Sequence, residues 1–250
     1  MFSQEIDFWG CMFEKVNILG VKISDLTIDE IVKLIIGNAG RKQSLTVFTP
    51  NSEIIERFRK NHDLLDIINS ADILSADGIG VVLAAKILGH PLRGRAAGYD
   101  IAVKLLESAG GLSFYFFGGD AGIAENAKDN LEMKYPDIKI VGTRDGYNYD
   151  DLLADEIIDK NADIVFVCLG AEKQERWIFE NKDRLSGKIL MGIGGSIDVF
   201  AGKMKRAPEI FIKLHLEWFY RLMRQPTRII RMLALPRFLI AVIIEKLKRK

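Results

Sequence analysis

LSFYFFGGD (residues 112–120) and DIVFVCLG (residues 163–170) decide the fold class. Each holds an unbroken apolar run, residues 114–117 and 164–169, that is followed by glycine. A strand with one wet face alternates apolar and polar residues. A run that is apolar at every position is covered on both faces, as in a parallel sheet. Further short runs of the same kind stand at residues 46–49, 73–75, 138–141 and 188–191. Segments of helical period lie between them, at residues 28–36, 79–88, 98–108, 122–133 and 151–160. Thr27 with Glu30 three residues on is a capping box for the first of these. The alternation predicts an α/β fold: a Rossmann-like parallel sheet with helices on both faces. Ligands of such sheets bind beyond the carboxyl ends of the strands.

Those ends are rich in glycine and short polar residues. Thr49-Pro50-Asn51 follows the first run, Ala76-Asp77-Gly78 the second, Gly118-Gly119 the third, Gly170 the fifth and Gly192-Ile193-Gly194-Gly195 the last. Gly118 and Gly194 suit either simple turns or a backbone cradle for a diphosphate. Neither group reads G-x-G-x-x-G, and neither precedes Lys-Ser/Thr, so the dinucleotide and P-loop fingerprints are absent.

Length and composition fit one large domain, or one with an appendage: 250 residues, 48% hydrophobic and 28% charged. The charge is unevenly spread. Residues 203–250 carry 13 Lys/Arg against three Glu, about +10, so residues 1–202 carry about −9 beneath the formal total of +1. We therefore place a boundary at residue 202, between a catalytic core and a basic, helical, amphipathic C-terminal appendage. Aliphatic and aromatic residues interleave the basic ones, which suits an anionic lipid surface. An acidic core argues against nucleic acid. The opening residues lack the basic-then-apolar order of a targeting leader, and no run reaches the ~18 apolar residues of a membrane span. A cytoplasmic protein lying on the inner face of the membrane is the expectation. Cys11 and Cys168 read as free thiols, and the three histidines form no metal or triad pattern.

Several residues admit two readings on local sequence. Asp77 is placed either to cap the following helix or to act as a general base. Asn51, with Thr49 before Pro50, either caps a helix or meets a polar ligand. Gln174 and Glu175 suit a surface helix start as well as a site. Arg95 either binds a carboxylate or phosphate or is solvated. No Asp-x-Asp occurs, the pair with which many sugar-nucleotide enzymes hold a cation.

In order, the chain reads TPNSEII, ADGIGVV, RAAGYD, IVGTRDGY, CLGAEKQERWI, MGIGGSIDVFAGKMKRAP and LEWFYRLMRQPTRIIRM. That succession resembles the WecG/TagA/CpsF glycosyltransferases, glycosyltransferase family 26, from about residue 16 to residue 237. The resemblance implies a Rossmann-like core with a C-terminal appendage. It implies inverting sugar transfer from a UDP-sugar to a polyprenyl-diphosphate-linked sugar, with no cofactor and no essential metal. In the teichoic-acid branch the donor is UDP-N-acetylmannosamine and the acceptor is undecaprenyl-diphosphate N-acetylglucosamine. By the same resemblance Asp77 is the base, Thr49 and Asn51 line the acceptor side, and Gln174 lies beside the donor. By the resemblance Arg221, Arg228 and Arg231 close over the donor diphosphate; Arg95, Gly118 and Gly194 are expected on the donor side from their own chemistry and position. The resemblance also allows a homo-oligomer. Where the family commonly has His after Gly-Thr, this chain has Arg144, which opens the alternative of an acidic donor such as UDP-N-acetylmannosaminuronic acid, or of UDP-glucose. A non-catalytic nucleotide-sugar-binding scaffold at the membrane is the alternative from outside the enzymes.

Overall fold

The computed structural model describes residues 3–6, 12–224 and 233–249. An N-terminal antiparallel sheet joins β1 (Ser3–Ile6), β2 (Met12–Ile18) and β3 (Val21–Ser24) in that order. The chain then alternates helix and strand. α1 (Ile28–Gly40), β4 (Leu45–Phe48), α2 (Ser52–Phe58), α3 (His62–Asn69), β5 (Ile73–Leu74), α4 (Ile79–Leu88) and α5 (Gly98–Ser108) come first. β6 (Ser113–Gly118), α6 (Ile123–Lys134), β7 (Lys139–Arg144), α7 (Leu153–Asp159), β8 (Ile164–Cys168), α8 (Lys173–Asn181), β9 (Ile189–Gly192) and α9 (Ser196–Phe200) follow. β4 to β9 form a six-stranded parallel sheet in the order β5-β4-β9-β8-β6-β7. The expected parallel sheet is therefore present.

Every residue of β6, β8 and β9 is buried, and the pleat sends alternate side chains to two cores. Phe114, Phe116, Ile164, Phe166, Ile189 and Met191 pack on one face with α1, α5 and α6. Tyr115, Phe117, Val165, Val167 and Leu190 pack on the other with α2, α3, α4 and α8.

Two short motifs set the register at the amino ends of the strands. SADIL (residues 70–74) and NADIV (residues 161–165) share an Ala-Asp-Ile core, a repeat that sequence reading passed over. The Asp72 carboxylate accepts hydrogen bonds from the Thr46 N–H and hydroxyl, both at 2.7 Å. The Asp163 carboxylate accepts the Ser113 N–H at 2.8 Å and its hydroxyl at 2.9 Å. Each Asp thus ties its strand to a neighbour in the sheet. Burial opposes the Asp163 charge, but the Lys42 ammonium and the Ser113 bonds outweigh it and hold the carboxyl below its ordinary range.

After residue 202 come α10 (Glu209–Lys213), α11 (Glu217–Arg224) and α12 (Ala234–Lys248). α12 lies against α2 and α4. Its Phe238 and Val242 are fully buried in the same core as Phe58 and Val81. Gly80 makes that fit close: a Cβ there would stand 2.1 Å from Ser52 Oγ and 2.9 Å from Leu235 Cδ1. Lys246 Nζ donates to the Leu88 carbonyl at 3.1 Å, a cation on the C-terminus of α4. The opposite side of α12 exposes Ile240, Ile243, Ile244 and Leu247.

Candidate active site

A cleft of about 620 Å³ opens beyond the carboxyl ends of β4, β5, β6, β8 and β9, where a parallel sheet is expected to bind its ligand. Strand-end residues form one wall. The appendage forms the other, with His215, Glu217, Trp218 and Leu235. Of the residues singled out from sequence, Asp77, Thr49, Asn51, Gln174, Arg95 and Gly194 all line it. Gly118 does not: its neighbour Gly119 does. Gly118 has φ +129°, and a Cβ there would lie 2.4 Å from the Cys168 carbonyl oxygen, so its absent side chain lets β6 end against β8. Arg221 belongs to α11, while Arg228 and Arg231 lie outside the described residues.

The local alternatives resolve one by one. Asp77 does not cap α4. Gly78 is the N-cap, at φ +94°, and no side chain caps that helix. The Asp77 N–H instead donates to the carbonyls of Pro50 at 3.2 Å and Ser75 at 3.1 Å, which fixes the residue between the ends of β4 and β5. Asn51 is a cap: its Oδ1 accepts from the N–H groups of Glu53 and Ile54, both at 3.0 Å. Its amide NH₂ is the part left to meet a ligand. The Thr49 hydroxyl donates to the Gly192 carbonyl at 3.0 Å, joining the ends of β4 and β9.

Gln174 and Glu175 are buried, not a surface helix start. Gln174 Oε1 accepts the Gly194 N–H at 3.0 Å, and its Nε2 donates to Glu175 Oε1 at 2.8 Å. Glu175 Oε2 accepts the Glu172 N–H at 2.6 Å. Glu172 sits at φ +76°, a strained angle for a residue with a Cβ, and its side chain completes a capping box with Glu175. Burial raises the Glu175 carboxyl above its usual range, although the bonds from Gln174 and the backbone pull the other way. Buried polar bonds thus lock the β8 and β9 ends together. The Gly194 N–H is spent on Gln174, so it is not open to a phosphate.

Charge pairs hold the appendage wall. Arg95 Nη2 donates to Asp100 Oδ2 at 2.9 Å, and Arg95 Nη1 donates to Glu217 of α11. Burial works against the Arg95 charge, but Glu217, Asp77 and Asp100 outweigh it and raise the guanidinium pKa. Asp100 also accepts from Arg206, whose guanidinium sits 4.6 Å from the centre of the Tyr99 ring. At the other end of the cleft Lys203 pairs with Asp120 at 2.6 Å and Asp198 at 3.5 Å. Sequence reasoning missed Glu217, Tyr99, Asp100 and Lys203. Glu217 stood inside the quoted LEWFYR, but nothing local points to a partner at Arg95.

Arg144 departs from its sequence reading. It does not line the cleft. It pairs with Glu156, which also accepts the Tyr115 hydroxyl at 2.7 Å. Among the described residues no group of three or more His, Cys, Asp or Glu is arranged to hold a metal ion.

Residues 16–250 match the description "Glycosyl transferase WecG/TagA/CpsF family". The chain belongs to the WecG/TagA/CpsF glycosyltransferase family. It is 38% identical over 200 residues to the N-acetylglucosaminyldiphosphoundecaprenol N-acetyl-beta-D-mannosaminyltransferase of Bacillus spizizenii, covering 79% of this chain and 78% of that protein. The Bacillus subtilis protein of the same name is 37% identical, covering 84% of this chain and 83% of the relative. One from Staphylococcus aureus is 34% identical over 94% of both chains. For a member of this family, the cleft at the strand ends is the candidate active site.

Proposed function

We propose that this chain transfers N-acetylmannosamine from UDP-N-acetylmannosamine to O4 of the N-acetylglucosamine carried on undecaprenyl diphosphate, making the linkage-unit lipid of a teichoic acid. The observation that carries the reading is the 34–38% identity to transferases of that name over 79–94% of the chain. The convergence of Asp77, Thr49, Asn51, Gln174 and Arg95 on one cleft supports it.

The step is a single inverting displacement. The bond from O4 to the anomeric carbon forms while the bond from that carbon to the UDP oxygen breaks. Asp77 takes the O4 proton. The Asn51 amide and Thr49 orient the acceptor. UDP leaves with new negative charge, and Arg95, with Arg221, Arg228 and Arg231 of the appendage, supplies fixed positive charge where a metal would otherwise serve. The acceptor's hydrocarbon stays in the bilayer. We place the protein on the inner face of the cytoplasmic membrane, with the exposed Ile240, Ile243, Ile244 and Leu247 of α12 toward the lipid. No helix among the described residues is long and apolar enough to cross a membrane.

The test is a donor screen with purified protein, polyprenyl-diphosphate N-acetylglucosamine, liposomes and EDTA. UDP release that needs UDP-N-acetylmannosamine and acceptor, and ignores EDTA, is expected. Release with another UDP-sugar alone would change the donor. UDP binding with no turnover of any donor would favour a scaffold.

A further inference from the structure

Arg95 is a cation shared by the two walls of the cleft. Its side chain is only 14% exposed, and its two terminal nitrogens point to different walls. Nη2 holds Asp100 of the core, and Nη1 holds Glu217 of the appendage. Asp100 is also matched by Arg206. The charge of Arg95 is therefore balanced first by Glu217 of α11, with Asp77 and Asp100 behind it.

A largely buried guanidinium needs a counter-ion, because a lone charge out of water is costly. Its fork of N–H donors suits a carboxylate and a phosphate equally. Both substrates of the proposed reaction carry a diphosphate, and Arg95 and Glu217 line the cleft that must take them. A carboxylate and a phosphate cannot share one N–H face of Arg95: like charges at that distance repel.

We propose that Glu217 is the resident counter-ion of a diphosphate subsite at Arg95, and that substrate binds there by exchanging with it. α11 is thereby released from Arg95 as the ligand arrives, while Asp100 keeps the guanidinium aimed. Glu217 sets affinity and couples ligand entry to the position of the appendage. The inference rests on the nucleotide-sugar reading of the cleft.

Glu217→Gln tests it, since the variant keeps the shape and removes the charge. Calorimetry on the full chain, with UDP and separately with farnesyl diphosphate, reads the affinity of each. The Gln variant is expected to bind about 5- to 10-fold more tightly, and the gain is expected to vanish when Arg95→Met is added. A gain with UDP alone assigns the subsite to the donor. A gain with farnesyl diphosphate alone assigns it to the acceptor lipid. Glu217→Ala gives the same comparison should the Gln variant melt early. UDP binding of equal or lower strength in both variants, with no gain for farnesyl diphosphate, overturns the exchange and leaves the nucleotide reading intact. No UDP binding to any of the proteins overturns both.

Discussion

The two walls of the cleft are held by different kinds of force. The strand-end wall is tied by buried bonds to backbone groups: Thr49 to Gly192, Gln174 to Gly194 and Glu175 to Glu172. Breaking one strands a polar group away from water. The appendage wall is tied to the cleft by ion pairs, Arg95 to Glu217 and Lys203 to Asp120 and Asp198, and to the core by Phe238 and Val242 of α12. The exposed Lys203 pairs are weak and screened by salt, and the largely buried Arg95–Glu217 pair holds only while each charge keeps a partner. One wall is therefore a fixed template, while the other can re-pair around a ligand without unfolding the sheet. Such a division suits the proposed transfer, in which two diphosphate-bearing substrates enter and two diphosphate-bearing products, UDP and the extended lipid, leave.

That contrast can be broken in graded steps. Phe238→Ala empties a fully buried site and should cost about 3–5 kcal/mol in chemical denaturation. A loss below about 1 kcal/mol would mean that α12 does not share the core. Gln174→Ala should cost about 1–3 kcal/mol, because the Gly194 N–H and the Glu175 carboxyl each lose a partner. Thermal melts at one pH measure it.

Glu175 sharpens the contrast through pH. Its folded pKa is raised by burial above the ordinary 4.5, so the folded state binds the proton more tightly than the unfolded chain. Its contribution is full below that ordinary value and is lost as pH rises through the folded pKa. Wild type should thus lose stability relative to Glu175→Gln as pH climbs from 4.5 toward neutrality. A difference that stays flat over that window would show that the hydrogen bonds win over burial. The smallest effect is expected at an ion pair behind the cleft, between Arg206 and Asp100. Arg206→Ala should cost at most about 1 kcal/mol in low salt, and less in high salt.

The same division marks what was legible in the sequence. DIVFVCL and LSFYFF revealed buried parallel strands because full burial writes itself as an unbroken apolar run. The glycines and short polar residues at the strand ends marked the position of the site for a local reason too: the turn after a strand admits little else. Pairings between distant segments left no such trace. Glu217 meets Arg95 across 122 residues. Arg144 looked like a cleft residue until its partner Glu156, on α7, drew it aside. Gln174 and Glu175 resemble surface residues by type. Only the packing of α8 on the end of β9 makes them interior.

The most direct test of a catalytic cleft at the strand ends is single-turnover transfer by Asp77→Asn, with UDP affinity measured alongside. A fall of about 10²–10⁴ in rate, with UDP still bound at close to wild-type strength, is the expected result for a general base. Transfer at a near-wild-type rate would contradict it and move the proton acceptor elsewhere.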